Sequence, residues 1–265
     1  SSLAILYMGE KLIVVGDDKQ VSPMAVGVDR SEINNLQQIY IAGKIRNAHL
    51  YDANTSIYEI AKTTFQPLML REHFRCVPEI IGFSNMLSYD YQIKPLRDAS
   101  SSNLLPAVVN YRVSDGLREG KNKTNRKEAM AIIALMKACM EQPEYDGKSF
   151  GVISLLGNEG DQVKLISDLI YQEIDRKEVK KRNILCGNSA NFQGDERDVI
   201  FLSMVDSSDG NDQLRLMAND DHKKRYNVAA SRAKDQLWVV YSLDSANLKY
   251  DDIRKIFKNS RKKFK

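Results

Sequence analysis

Seven short apolar runs, alternating with segments of helical spacing, constrain the fold of this chain more than any other feature. The runs lie at 12–15, 68–70, 108–113, 150–155, 183–186, 199–205 and 237–241. Several are nearly continuous in apolar residues, the pattern of strands covered on both faces in a parallel sheet. Between them, 126–141 places Met130, Ile133 and Lys137 three or four residues apart, with Ala129, Ile132 and Met136 beside them. A second helical segment, 161–173, carries Val163, Ile166 and Ile170 on one face. Strands alternating with helices predict right-handed crossovers and an open α/β sheet. There is no internal repeat or low-complexity tract, and 98–103 and 115–125 read as exposed loops.

Length and composition bound the function classes. A chain of 265 residues suits one large domain or two modest ones, and 43% hydrophobic residues can fill a sizeable core. This excludes wholesale disorder and a disulfide-stapled miniprotein. Cys76, Cys139 and Cys186 lie 63 and 47 residues apart, an odd number without a CxxC pair. That favours a reducing compartment and argues against a zinc site. No apolar stretch reaches the roughly 18–20 residues needed to span a bilayer, and no signal peptide opens the chain. The expectation is an intracellular protein, cytoplasmic or, in a eukaryote, nuclear, with no membrane partner. The net charge of +4 says little about nucleic acid. Seven of the last twelve residues are basic (Arg254, Lys255, Lys258, Arg261, Lys262, Lys263, Lys265), which reads as a solvated end. The opening 1–8 looks helical and leads straight into the run 12–15. A self-contained α/β domain would open on its first strand and phosphate loop, so the start reads as a cut through a longer protein, with a natural helical start as the alternative.

Four segments could carry chemistry. GDDKQVSP at 16–23 leaves an apolar run, where open α/β sheets bind ligands. Gln20 offers a donor and an acceptor that can sense a phosphate or water, although a Gly-Asp turn closed by proline is common. LREHFRC at 70–76 puts Arg71 and Arg75 where a guanidinium could meet a phosphate, or could simply pair with Glu72 and Glu79. NFQGDERD at 191–198 combines a glycine, which lets backbone approach a ligand, with carboxylates that suit a ribose hydroxyl or a metal-bound water; a charged turn before a buried strand would look the same. In RYNVAASRAK at 225–234, Ala229, Ala230 and Ala233 would let a helix pack closely and hold Arg232 and Lys234 rigid. A rigid arginine at a cleft can stabilise a phosphoryl transition state; an amphipathic helix with basic residues in water is the alternative.

Two absences matter. The chain has no G-x-x-x-x-G-K-[ST] phosphate loop; GLREGKN at 116–122 is one residue short between glycines and lacks the hydroxyl after lysine. Nor does an apolar run end in Asp-Glu to hold magnesium, and His49, His73 and His222 are scattered.

In order and spacing, the four segments resemble the later motifs of superfamily 1 helicases, closest to the 5′-to-3′ RNA-surveillance and DNA helicases. GDDKQVSP resembles motif III (GDxxQLxP), LREHFRC motif IV (LxxQYRM), FQGDERDVIFLS motif V (FQGxExDxIxxS) and RYNVAASRAKDQLWVV motif VI (RLNVAxTRAKxxLxxV). FGVISLLGNEGDQVKLI resembles the segment before motif V, with Gln162 at its glutamine. The resemblance runs from about residue 1 to 243. It implies an α/β, RecA-like P-loop NTPase fold with a mostly parallel sheet and helices on both faces. Residues 1–65 would end a first RecA-like domain, and 66–265 would form the second.

The same resemblance implies roles. Gln20 would couple the γ-phosphate of ATP to strand binding, and Arg75 and Arg232 would be catalytic fingers on that phosphate. Gly194, Glu196 and Gln193 would face the nucleotide. Ser154, Ser189 and Asn191 would lie towards single-stranded DNA or RNA. ATP and Mg2+ are the implied cofactors, the Mg2+ ligands falling mostly outside this chain. The partners are nucleic acid and the rest of the first domain. His73-Phe74 stands where the family has Gln-Tyr, Ala190 replaces an Asp three before the motif V glutamine, and Ser231 replaces Thr. The expected function is the C-terminal motor portion of an ATP-dependent helicase, silent on its own. The rival is a RecA-like module that binds nucleic acid or protein without hydrolysis.

Overall fold

The computed structural model describes residues 10–21, 29–119, 124–156, 161–207, 217–244, 248 and 252–254. The expected helix at 1–8, Ser22 and Pro23, and the basic tail from Lys255 onwards lie outside the described residues. The chain separates into two compact units, Ser1–Leu70 and Arg71–Lys265.

In the first unit, α1 (Arg30–Tyr40) starts where the Asp29 carboxylate accepts from the amides of Ser31 and Glu32. Helix α2 (Ile57–Lys62) starts with a capping box between Ser56 and Glu59, a local exchange that satisfies free amide donors. The run 12–15 is not a strand. Ile13 and Val15 are 88% and 87% exposed, and no neighbouring strand pairs with them among the described residues. Strand geometry needs an inter-strand ladder, and an apolar run without one stays irregular. The run 68–70 is likewise irregular, with Leu68 and Leu70 exposed.

The second unit opens with two short strands, β1 (Glu72–His73) and β2 (Lys94–Pro95), paired in parallel. Between them runs α3 (Pro78–Ser88), with proline at its first turn. The main sheet comprises β3 (Val108–Arg112), β4 (Phe150–Ser154), β5 (Leu185–Asn188), β6 (Arg197–Ser203) and β7 (Ala233–Tyr241). Its order is β3-β7-β6-β4-β5, with every pair parallel. Helix α4 (Arg126–Met140) follows β3, α5 (Asp161–Glu173) and α6 (Arg176–Lys181) follow β4, and α7 (Asp220–Ala230) precedes β7.

The central strand β6 shows why its sequence is apolar throughout. Ile200 and Leu202 enter a core with Ile80, Ile81 and Phe83 of α3 and Ala229 and Ala230 of α7. Val199 and Phe201 enter the opposite core with Ile132 and Met136 of α4 and Ile166 and Ile170 of α5. Period-two alternation therefore feeds two cores, and helices cover both faces. No helix among the described residues is long and apolar enough to cross a membrane.

Several sequence boundaries shift. Strand β5 begins at Leu185 because Asn183 takes a left-handed φ of 47°, and the 199–205 run ends early because Val205 sits at φ 63°. Met130 faces solvent, and the buried stripe of α4 is Ala129, Ile132, Ile133, Met136 and Cys139. Helix α7 stops at Ala230, so Arg232 occupies a turn and Lys234 lies in β7 rather than on the helix. Ser102 and Asn125 are buried within segments that read as exposed loops. Arg254 is not solvated: it is buried and pairs with Asp206 and Asp252, while Arg118 reaches Asp206 at 2.7 Å.

Candidate functional site

In the second unit, the segments 70–76, 191–198 and 225–234 converge at the start of β6 and β7. Arg197 pairs with Ala233 in the sheet ladder, and the Arg197 amide donates to Arg232 O at 3.1 Å. The turn after α7 therefore lies beside the loop that enters β6. The loop after β1 closes on the same turn: the Val77 amide donates to Lys234 O at 3.0 Å, and Arg75 Nη1 donates to Ser231 O at 3.4 Å.

The two arginines have different surroundings. Arg232 is 2% exposed. Its hydrogen bonds include Nε to Val228 O at 3.2 Å and Nη2 to Ser231 Oγ at 3.3 Å. Burial, and then the charge of Arg75, pull its pKa below the ordinary arginine value. Arg75 is half-buried and donates from Nε to Glu196, rather than pairing with Glu72 or Glu79 as the sequence allowed. Glu196 also takes Lys234 Nζ at 3.3 Å. Burial works against that carboxylate, but Arg75 and Lys234 outweigh it and hold its pKa below the usual range. The site thus gathers Arg75, Arg232 and Lys234 around Glu196, with Asp198 3.7 Å from Lys234.

Gly194 takes a φ of 85°, and nothing lies within 4 Å of where a Cβ would stand. The backbone there is open to a ligand, and the left-handed conformation is what requires glycine. Gln193 beside it is exposed. His73 Nε2 accepts from the Cys76 amide at 3.0 Å, so the ring is neutral. Burial, then Arg75 and Arg232, lower its pKa to about 4. Its acceptor nitrogen does what a glutamine carbonyl can do at the same position. Because the folded pKa lies below that of a free histidine, the folded state binds fewer protons between about pH 6.5 and 4. Stability contributed by neutral His73 is full above 6.5 and is lost as pH falls towards 4. His73→Gln is expected to flatten that acid-side fall in melting temperature, measured by thermal unfolding between pH 4 and 7; an unchanged slope contradicts the assignment.

The residues proposed to face a strand are placed at the C-terminal ends of β4 and β5. Ser154 is buried, with Oγ donating to Leu156 O at 2.8 Å, and Ser189 Oγ donates to Arg225 O at 3.1 Å. Asn191 is exposed, and its Oδ1 accepts from the Asn188 amide at 2.9 Å. Gln162 is buried in a polar network, where it accepts from the Asn125 amide at 2.8 Å and donates to Ser203 Oγ at 3.1 Å. In the first unit, Gln20 Nε2 donates to Asp17 at 2.8 Å, and Lys62 pairs with Asp18 at 2.6 Å. Gly16 is required there by close approach, since a Cβ would stand 2.7 Å from the Tyr58 ring. Arg97 falls outside the four motif segments and Asp235 sits at a position that motif VI leaves open, and the two meet each other only through the fold. Among the described residues no group of three His, Cys, Asp or Glu side chains could hold a metal ion.

Comparison with known proteins adds relatives to this geometry. The chain is 27% identical over 246 residues to the uncharacterized ATP-dependent helicase MG140 homolog of Mycoplasma pneumoniae, covering 89% of this chain and 21% of that protein. It is 27% identical over 243 residues to the mouse 5'-3' DNA helicase ZGRF1, covering 89% and 12%. It is 23% identical over 256 residues to the Saccharomyces cerevisiae helicase SEN1, covering 91% and 10%. The chain therefore spans about a fifth or less of the length of these relatives. They bear out the resemblance drawn from the four motifs. A family model described as AAA domain matches residues 53–244, and the chain belongs to that family.

Proposed function

We propose that this chain is the C-terminal motor portion of a superfamily 1 helicase, coupling ATP hydrolysis to movement along single-stranded nucleic acid. The observation that carries the reading is the convergence of Arg75 and Arg232 on the Ser231 turn, from segments 156 residues apart. Two guanidiniums held together resist each other's charge, and a bound polyphosphate relieves that cost. Phosphoryl transfer is mainly positioning and charge stabilisation, so arginines fixed before the reaction lower its barrier. Arg232 is the more rigid of the two, and Arg75 exchanges Glu196 for phosphate.

Glu196, released from Arg75, then serves the ribose beside the open backbone of Gly194 and Gln193. Gln20, in a separate unit, links the γ-phosphate to strand binding. Ser154, Ser189 and Asn191 belong to the strand-facing edge; the two hydroxyl protons are committed internally, so contact there uses lone pairs and backbone. Mg2+ accompanies ATP, but the described residues offer it no three-ligand set, and no step is derived through it.

The test is single-strand-stimulated ATP hydrolysis by the full-length protein, with this chain assayed beside it. Stimulated turnover in the full-length protein and none in this chain is the expected result. Nucleic-acid binding without turnover in either would select the non-hydrolysing RecA-like module instead.

A further inference from the structure

We propose that Arg97 is the positioning residue that fixes the spacing of Arg75 and Arg232, an inference that rests on the reading of those two residues as phosphate-directed fingers. Arg97 lies between β2 and the turn at Ala99–Ser101, outside all four motif segments. One nitrogen of its guanidinium, Nη1, donates to Arg75 O at 2.7 Å and to Lys234 O at 3.0 Å. Nη2 donates to Asp235, a buried carboxylate whose other oxygen takes Lys148 Nζ at 2.7 Å. Nε donates to Ser101 Oγ at 3.0 Å, which holds the arginine to its own loop.

Arg97 thus touches the backbone of one finger directly and the backbone two residues after the other. A planar fork can span two carbonyls and a carboxylate at once, whereas a lysine ammonium is a point charge on a flexible stem. Other ties between the two segments include the Val77 amide on Lys234 O and the two weak donors on Ser231 O, Arg75 Nη1 and Cys76 Sγ, each at 3.4 Å. Arg97 is the only side chain among those described that bonds both the Arg75 and the Lys234 carbonyls. It contacts no reacting group, so its effect is on where the fingers stand.

The experiment uses the full-length protein with Arg97→Lys, Arg97→Ala and each combined with Arg232→Ala. Arg97→Lys keeps a cation beside Asp235 and guards against simple unfolding. The expected result is a fall in stimulated kcat of about 10²-fold, the scale of an ångström of misplacement. Melting temperature and nucleotide-free binding of a single-stranded oligonucleotide should stay at wild-type values for Arg97→Lys. On the Arg232→Ala background neither Arg97 change should lower kcat further, because residues acting as one unit are non-additive. Wild-type kcat in Arg97→Lys and Arg97→Ala overturns the proposal, as does a loss that multiplies in full on the Arg232→Ala background. A melting temperature that collapses in Arg97→Lys makes the residue structural and also overturns it. If Arg232→Ala itself leaves kcat unchanged, the finger reading fails first, whatever the Arg97 variants do.

Discussion

Arg232→Ala in the full-length protein is expected to lower stimulated ATP turnover by about 10³-fold or more, the scale of an arginine finger. The effect should fall on kcat with little change in the affinity for single-stranded nucleic acid, because Arg232 lies at the start of β7 and not at the C-terminal ends of β4 and β5, where the proposed strand contacts lie. Stability should hold or rise. The Arg232 guanidinium is buried beside Arg75, and both burial and that like charge disfavour its ionised form. Removing it relieves that cost and offsets the loss of its hydrogen bonds to Val228 O and Ser231 Oγ. Arg232→Lys should recover part of the rate, since charge is kept and the fork is lost. Unchanged turnover in Arg232→Ala, with the protein folded by melting temperature, contradicts the role.

The second large effect concerns stability and lies at the other end of the sheet. Glu128 is fully buried at the start of α4, where Oε1 accepts from Ser203 Oγ and the Val205 amide, each at 2.7 Å, and Oε2 accepts from Ser242 Oγ at 3.1 Å. Asn125 and Gln162 complete the network around it. The carboxylate also braces Val205, a β-branched residue at φ 63°, a conformation such residues rarely adopt. Burial pushes the Glu128 pKa up to about 7, against the pull of these donors.

The folded state therefore keeps a proton that the unfolded chain loses between about pH 4.5 and 7. Stability falls as pH rises through that window and is lowest above 7. Glu128→Gln keeps the carbonyl acceptor and removes the charge. It should raise stability above pH 7 by up to about 3 kcal/mol, and by little below pH 4.5. Glu128→Ala should destabilise by about 3 kcal/mol or more below pH 4.5, because it leaves the Val205 amide and two hydroxyls without their acceptor in the core, and by less above pH 7, where the buried carboxylate itself costs the wild type stability. Urea unfolding of both variants at pH 4.5 and 8 checks the pair; a pH-independent Glu128→Gln would contradict the raised pKa.

The parallel sheet was legible because β6 and β7 are buried on both faces, which leaves continuous apolar runs in the sequence. What ended those runs had two origins: Val205 takes its left-handed φ beside the buried Glu128 carboxylate, whereas Asn183 ends α6 locally, its amide donating to Lys180 O at 3.2 Å and the Ile184 amide to Val179 O at 3.0 Å, a left-handed helix ending that suits asparagine. The run 12–15 misled for the opposite reason, since Ile13 and Val15 have strand composition but no ladder among the described residues. At the candidate site, Arg75, Glu196 and Arg232 were visible through their motifs, and the structure brings these three together. Arg97 and Arg254 were not visible, because the acceptors that hold them lie far off in sequence: 22 to 138 residues away for the half-buried Arg97 at Arg75, Lys234 and Asp235, and 48 away at Asp206 for the buried Arg254. Charge patterning along the chain reads such residues as solvated, and only the folded contacts reverse that.

The central claim is that Arg75 and Arg232 act together on a nucleotide phosphate. The most direct measurement is the structure of the full-length protein bound to ADP with aluminium fluoride, a mimic of the transferring phosphoryl group. Guanidinium nitrogens of both residues are expected within about 3 Å of fluoride, with Arg75 released from Glu196. Arg75 still paired with Glu196, and Arg232 donating only to protein acceptors such as Val228 O and Ser231 Oγ while the mimic occupies its site, would contradict that claim.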